Sequence, residues 1–429
     1  MKRMIALGMA AVMGISLTAC GGKTEQNTPQ PSGEKSAATE AAKADGEQSK
    51  LTLWLGSWWE ETAPAIKEDF EKAYPQYTLT IDCLPINGYF DNAATAILSG
   101  DPPDILDIDV MQTSSFAAKG LLTDLTDNVA AELNREEFIA PAWDASMYDG
   151  KVFGIPSRGT GGLYYYNKDM FDKAGVEYPT DDWTYESMLE MAQKITGDGV
   201  YGMGISGDPS DQGNFFTVFA PMLWYYGGDF FNEDYTKCTM DSPEAIAAIT
   251  YWSELYTKYK VCPEGTLNYT TARDIIPMMN QGQVALLASG TGALATFDKN
   301  PDLRYGTAQY PKGLCRAGGW TLTIPSTAKN AEGAADFIKW FSQAEVQAKV
   351  CDATEPSVIE AWSLSEKWST DQNMEFMKAA NSGKTLPSVG YWGECATIIM
   401  TELQKVLQEQ QTPEQGAAAI TSQISGIMK

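Results

Sequence analysis

Strand-like runs alternating with helix-length stretches constrain this chain more than any other feature. LTLWL (51–55), YTLTIDCLP (77–85) and ILDIDV (105–110) are separated by stretches of helical spacing at about 62–73 and 89–99. Strands and helices in that order join most readily through right-handed crossovers, which predicts an α/β fold built on a mostly parallel sheet. The rhythm returns at VYGMGIS (200–206), VALLASG (284–290), RYGTAQYP (304–311) and TLTIP (321–325), with helical stretches at 182–195, 242–259, 331–350, 371–380 and 396–410. About 380 residues follow Leu51, more than one core usually serves, so two α/β lobes are expected.

One motif has to be set aside. GMGISG (202–207) has the spacing of a dinucleotide fingerprint, but that fingerprint must open a helix. Here DPSDQG follows, which is turn chemistry, so the match is accidental.

The chain opens MKRMIALGMAAVMGISLTAC, a positive Lys2-Arg3 pair before an uncharged apolar run. The run suits a secretory signal and is short for a membrane span. Leu17-Thr18-Ala19-Cys20 is similar to the bacterial lipobox, in which the cysteine is lipidated and becomes the first mature residue. Residues 23–50 carry no large apolar side chain, so they are expected to remain a disordered tether with a reach of roughly 30 Å. The reading is a signal over 1–19, then lipidated Cys20 and tether over 20–50. It places a monomeric body at the outer face of the cytoplasmic membrane, extracellular or periplasmic.

Histidine is absent, which removes the commonest general base and zinc ligand, and with them most triad hydrolases and zinc enzymes. The formal charge is −25, and loss of Lys2 and Arg3 with the leader takes it to −27. Such acidity argues against nucleic acid or an anionic membrane surface as partner. Cys83, Cys238, Cys262, Cys315, Cys351 and Cys395 form no CxxC pair, and spacing leaves their pairing open.

Four segments together resemble the extracellular solute-binding proteins of carbohydrate ABC transporters, the family that includes maltose-binding protein. ILSGDPPDILDIDVMQTSSFAAKGLLTDLTD (97–127) is similar to the family's Gly-Asp-x-Pro-Asp stretch with its following helix and Gly-Leu-Leu turn. YDGKVFGIPSRGTGGLYYYNKDMFDKAGV (148–176) resembles its Gly-Ile-Pro, Tyr-Asn-Lys and Ala-Gly-Val sequence. MNQGQVALLASGTGAL (279–294) corresponds to the helix end and strand before a ligand loop, and AGGWTLTIPSTAKNAEGAADFIKWF (317–341) to the Gly-Gly, strand and Ala-x-x-Phe helix. The resemblance covers about residues 51–429. It implies a two-lobed class II periplasmic-binding-protein fold, with lobe 1 at 51–158 plus 320–370 and lobe 2 at 159–319 plus 371–429. The implied crossovers lie near 157–162, 317–320 and 360–371. RGTGG (158–162) is a candidate hinge, because glycine absorbs large φ/ψ changes.

A sugar presents apolar C–H faces and hydroxyl edges, so its site needs flat aromatic rings beside directional polar groups. In open α/β sheets these lie at the carboxyl ends of strands. That places Ser57, Trp58, Trp59 and Glu60 at the end of the first strand and Asp109 at the end of ILDID. Arg158 and Thr160 fall at the first crossover, Gly290 and Thr291 after VALLAS, and Trp320 after the second Gly-Gly pair. By the resemblance, Trp224 belongs to a segment that supplies a stacking aromatic, and Tyr391 and Trp392 to a late ligand loop. Relatives carry a tryptophan near the loop after VALLAS, where SGTGAL has none. Trp54, Trp143, Trp252 and Trp340 fall within helix or strand patterns and read as core.

The resemblance implies a carbohydrate ligand, permease subunits as partners, a membrane anchor at Cys20, no cofactor, no metal and no catalysis. Three other classes stay open. Asp101, Asp104, Asp107 and Asp109 could bind calcium or serve a glycoside hydrolase, although Asp101 suits a turn and Asp104 a strand entry. The tyrosines at 164–166 could suggest an iron carrier, but in the family this segment is a crossover strand. Polyamine or peptide capture would match the global acidity.

Overall fold

The computed structural model describes residues 48–180, 182–352 and 354–428; the signal, Cys20 and the tether to residue 47 lie outside the described residues. The tether expected to reach residue 50 ends sooner. Ser49 already pairs with Tyr77 and donates its N–H to the Gln76 carbonyl at 2.9 Å.

Strand β1 (Ser49–Gly56) leads through a 3₁₀ turn at Ser57–Trp59 into α1 (Ala63–Ala73). Pro64 sits at the start of that helix, where its missing N–H costs nothing, and Ile66 and Phe70, four apart, form its buried edge. β2 (Tyr77–Leu84), α2 (Tyr89–Ser99) and β3 (Ile105–Asp109) follow, and Gly100 at φ +79 stops α2. β3 runs directly into α3 (Val110–Ala118). After α4 (Ala140–Ala145), the hairpin of β4 (Met147–Tyr148) and β5 (Lys151–Val152) turns on Asp149 and Gly150, and β6 (Ile155–Gly161) completes this part.

The chain then passes through Gly162 to β7 (Leu163–Asn167), α5 (Lys168–Ala174), α6 (Tyr185–Ile195) and β8 (Tyr201–Gly204). Next come α7 (Gln212–Tyr225), α8 (Pro243–Thr257), α9 (Ile276–Asn280), β9 (Val284–Ser289), α10 (Leu294–Phe297) and β10 (Tyr305–Ala308). β11 (Ala317–Thr323) is followed by α11 (Ala331–Phe341), α12 (Ala344–Val350), α13 (Ile359–Leu364), α14 (Asp371–Ser382), α15 (Trp392–Leu407) and α16 (Pro413–Ile427). Among the described residues no helix is long and apolar enough to cross a membrane.

Beside the β4–β5 hairpin, two larger sheets form among the described residues, ordered β2-β1-β3-β11-β6 and β10-β7-β9-β8. Each backs onto its own core. One core joins Leu51, Leu53, Trp59, Phe70, Phe337 and Trp340; the other joins the β7 and β9 residues to α7, α8, α15 and α16. The expected cores at Trp143, Trp252 and Trp340 are buried, and Trp54 is half-buried against the Trp320 cluster.

The expectation of a mostly parallel sheet is corrected. Among the strands of the described residues only β1–β2, β1–β3 and β8–β9 pair in parallel; β11 is antiparallel to both β3 and β6, and β7 to both β9 and β10. The antiparallel strands β6, β7, β10 and β11 flank the two passages between sheets, so no helical crossover on their own sheet sets their direction. β6 extends to Gly161 and β11 begins at Ala317, so the expected boundaries at 158/159 and 319/320 fall inside paired strands of the first sheet.

Two helical expectations also change. The stretch 331–350 breaks at Ser342 and Gln343 into α11 and α12, and α15 begins at Trp392 rather than 396. α7 and α16 were not expected. α7 is apolar on all sides, ten of its fourteen residues being buried, so it lacks the one-sided period that marks a surface helix.

Candidate functional site

Strand register assembles the centre of the site. Trp320 on β11 pairs with Asp109 on β3 and with Arg158 on β6, so an acid, an indole and a guanidinium stand in one row across three strands. Thr160 pairs with Gly318 further along. The row borders a cavity of about 340 Å³ between the two sheets. Asp109, Arg158, Thr160, Arg316, Trp320 and Glu355 line one side; Gly162, Gly213, Asn214, Thr217 and Gly290, Thr291 and Gly292 line the other.

Asp109 caps α3, one carboxylate oxygen accepting from the Met111 N–H at 2.9 Å. Burial pushes its pKa above the ordinary value, against the pull of Arg316, that hydrogen bond and Arg158. Arg158 donates to Glu355 at 2.5 Å, and the other Glu355 oxygen accepts from the Thr291 hydroxyl. Glu355 is only 2 % exposed, so this one buried carboxylate joins a residue of the first sheet to one just after β9 of the second. Deeper on β3, the fully buried Asp107 accepts from Ser157 at 2.6 Å, while its second oxygen has no hydrogen-bond partner among the described residues. Burial raises its pKa to about 7, partly offset by Ser157 and Arg158.

Trp320 is 9 % exposed and wedged among aromatics: Trp58 meets it edge-on at 4.5 Å, Phe90 lies at 5.8 Å and Tyr89 at 6.2 Å. Trp58 folds back over Gly56, where a Cβ would lie 2.2 Å from the indole, and the Arg158 guanidinium sits 5.7 Å from its ring centre. Trp58 therefore supports the site through Trp320 and Arg158 and does not border the cavity.

The structure thus brings six of the expected residues to one cavity: Asp109, Arg158, Thr160, Gly290, Thr291 and Trp320. The other expectations are corrected as follows. Trp59 is wholly buried in the first core against Phe341, because successive residues of a helical turn point in different directions and only one can face the cleft. Glu60 is exposed and does not border the cavity. Trp392 is 2 % exposed between Phe216 and Phe230; it begins the buried stripe of α15 and is not on a loop. Trp224 ends α7 away from the cavity, donating to Asp229 at 3.3 Å with Lys384 over its ring. Half-buried Tyr391 packs on Phe231.

Sequence reasoning missed Glu355 and Arg316. Arg316 stands four residues before Trp320, close enough to have been considered with it. Glu355 lies between helices in a segment with no strand end to mark it.

The acidic run does not converge on an ion. Asp101 pairs with Lys329, Asp104 accepts from Thr52 and Asn330, Asp107 from Ser157, and Asp109 caps α3. Tyr164 and Tyr165 are core residues, Tyr165 donating to the Gly290 carbonyl, so the tyrosine run is no ligand set. The six described cysteines are unpaired thiols, five of them buried.

The sequence profile of the bacterial extracellular solute-binding proteins matches residues 56–348, more than half of the chain. The diacetylchitobiose binding protein DasA of Streptomyces coelicolor is 27% identical over 364 residues, covering 79% of this chain and 77% of that one. The maltooligosaccharide ABC transporter solute-binding lipoprotein of Streptococcus pneumoniae is 24% identical over 410 residues, 91% of this chain and 88% of its own. Among solved structures, maltose-bound MalE3 of T. maritima superposes with a TM-score of 0.76 at 25% identity, over 88% of this chain and all of that one. The fold is therefore the two-lobed one of these proteins, each sheet forming the floor of a lobe.

Proposed function

The chain belongs to the bacterial extracellular solute-binding protein family, and from that membership we propose that it is the capture component of a carbohydrate ABC importer. The observation that carries the reading is the row of Asp109, Trp320 and Arg158 bordering the inter-sheet cavity. Trp320 offers an apolar edge to a sugar ring, and Asp109 keeps a second carboxylate oxygen for a hydroxyl. The relatives named for diacetylchitobiose and maltooligosaccharide, and the maltose-bound structure, support the same ligand class.

In this proposal sugar docks on the first lobe, the lobes close with RGTGG (158–162) as hinge, and the closed pair of lobes is what permease subunits recognise. A ligand can drive closure only through its higher affinity for the closed state. Cys20 is the proposed lipid anchor, holding the body at the outer face of the membrane; the pneumococcal relative is a lipoprotein by name. No catalytic step is assigned. Glu355, a carboxylate that could serve a hydrolase, is engaged by Arg158 and Thr291.

A thermal-shift screen of the leaderless chain tests this against mono- and oligosaccharides, with polyamines, peptides and Fe³⁺ as controls. A cleft ligand at a hundredfold over Kd stabilises by about 2.7 kcal/mol. A shift with sugar, reduced in Trp320→Ala, is the expected result. A shift with a control ligand and none with any sugar would leave the fold standing and reject the carbohydrate assignment; release of reducing ends from a bound oligosaccharide would reject the non-catalytic one.

A further inference from the structure

We infer that the cleft is selective for a carbohydrate carrying an anionic group, of the uronate class, with Arg316 as the residue that receives the carboxylate. The inference rests on the carbohydrate reading of the cleft.

The charges bordering the cavity are unequally engaged. Arg158 is ion-paired with Glu355, whose other oxygen is held by Thr291. Asp109 gives one oxygen to the Met111 N–H. Both arginines have a buried Nε without a partner, but Arg316 alone of the two makes no side-chain hydrogen bond or ion pair at all among the described residues. A guanidinium stays charged under all ordinary conditions, and its donors form a planar fork matched to two carboxylate oxygens. A buried donor without an acceptor is costly, so an acceptor from a ligand is the natural remedy.

The acids nearby do not supply that acceptor. Asp109 faces Arg316 but forms no ion pair with it. Asp107 lies deeper, on Ser157. Asp211, just before α7, is turned to the Asn214 side chain and the Thr271 N–H. That leaves the backbone N–H groups of Gly213 and Asn214, in the first turn of α7 on the opposite side of the same cavity, without acceptors among the described residues. A neutral hexose brings only hydroxyls and leaves the guanidinium charge unmatched. The net charge of −25 opposes an anion at long range, but salt screens it beyond about 8 Å, within which the fork decides.

Calorimetric titration of the leaderless chain with D-galacturonate, D-glucuronate and D-mannuronate, their methyl esters and the parent hexoses tests this. The ester keeps the shape and removes the charge. At least one acid is expected to bind about tenfold or more tighter than its ester and hexose, and to weaken between low and high salt while the neutral sugars do not. In Arg316→Gln the acid-to-ester affinity ratio falls to near one; Arg316→Lys, charged but without the fork, keeps part of it. An ester or hexose that binds as tightly as its acid overturns the inference and leaves carbohydrate capture intact. So does a panel in which no acid binds. Binding of a polyamine or peptide with no response to any sugar removes both readings. A ratio unchanged in folded Arg316→Gln overturns the assignment to that residue. The wild-type acid–ester comparison stands even where a variant fails to fold.

Discussion

The two sides of the cleft are built differently. The first-sheet side is side chain: Asp109, Trp320 and Arg158 in register, with Arg316 and Glu355 beside them. The second-lobe side carries no charge and is built of glycines and mostly small side chains: Gly162, Gly213, Gly290 and Gly292 with Asn214, Thr217, Ala272, Ile276, Ser289 and Thr291. The first has the chemistry to select a ligand; the second has the close approach to cover it. Glu355 touches both, through Arg158 and Thr291. Substitutions on the first side should therefore alter what binds, and those on the second how well the cleft shuts.

The largest effect belongs to the connection between the sides. Glu355→Ala leaves the mostly buried Arg158 charge without its partner, and removing one member of a buried pair costs about 3–5 kcal/mol. Thr291→Ala leaves the ion pair in place and should cost about 1 kcal/mol. Chemical denaturation of both variants measures the difference. Equal losses would mean that the hydroxyl matters as much as the ion pair, and the contrast between the sides would fail.

Beneath the first side lies a titration that the second lacks. Asp107 titrates near 7 in the folded protein and near 3.9 when unfolded. Between those values the native state holds a proton that the unfolded state has released, so stability falls as pH rises from about 4 to 7. The ceiling on that loss is on the order of 4 kcal/mol, because a tenfold change in proton affinity corresponds to about 1.4 kcal/mol. Asp107→Asn should flatten that slope in denaturant midpoints taken across the window. A slope that survives the substitution would place its origin elsewhere.

Trp320→Ala comes next. Loss of the cavity's aromatic edge removes roughly 1.5–3 kcal/mol of burial, or about ten- to hundredfold in Kd. Trp320 also packs on Trp58, Tyr89 and Phe90, so its loss should lower stability as well; Trp59→Ala should lower stability alone, since Trp59 is wholly core and does not border the cavity. A Trp59 variant with normal stability and lost binding would reverse the assignment of the two residues.

That pair shows what was legible. Strand ends are written in local pattern, so Asp109 and Thr291 could be located from β-rich runs and the turns that follow them, whereas Trp320, in the middle of β11, was located through the Gly-Gly pair of the crossover that the family resemblance implied. The two-sheet α/β plan was legible for the same reason. Trp58 and Trp59 could not be separated, because a 3₁₀ turn at Ser57–Trp59 decides which ring enters the core. Trp392 could have been placed: with Cys395, Ala396, Ile399, Met400 and Leu403 it keeps the spacing of one buried helix face. Glu355 had no local signal, since its role depends on Arg158 and Thr291, 197 and 64 residues away. Strand direction was misread where the chain changes sheets, because alternation of strand and helix says nothing about which sheet receives the next strand.

The smallest effect is the most direct test of the second side. A Cβ built on Gly213 or on Gly292 meets nothing within 4 Å, and neither residue has a positive φ. Alanine at either position should leave unfolding free energy within about 0.5 kcal/mol of wild type, with Gly213→Ala on the stabilising side because it stands in α7. The methyl group nevertheless enters a cavity of about 340 Å³ from the side that must approach the ligand. Affinity should drop while stability does not, and the loss should appear mainly as faster dissociation, since a cover that cannot seat fully releases its ligand sooner. Unchanged affinity in both variants would show that this side stays clear of the ligand, and the glycines would then need another reason. A loss in Gly213→Ala alone would narrow the cover to the first turn of α7, the element that the sequence pattern did not reveal.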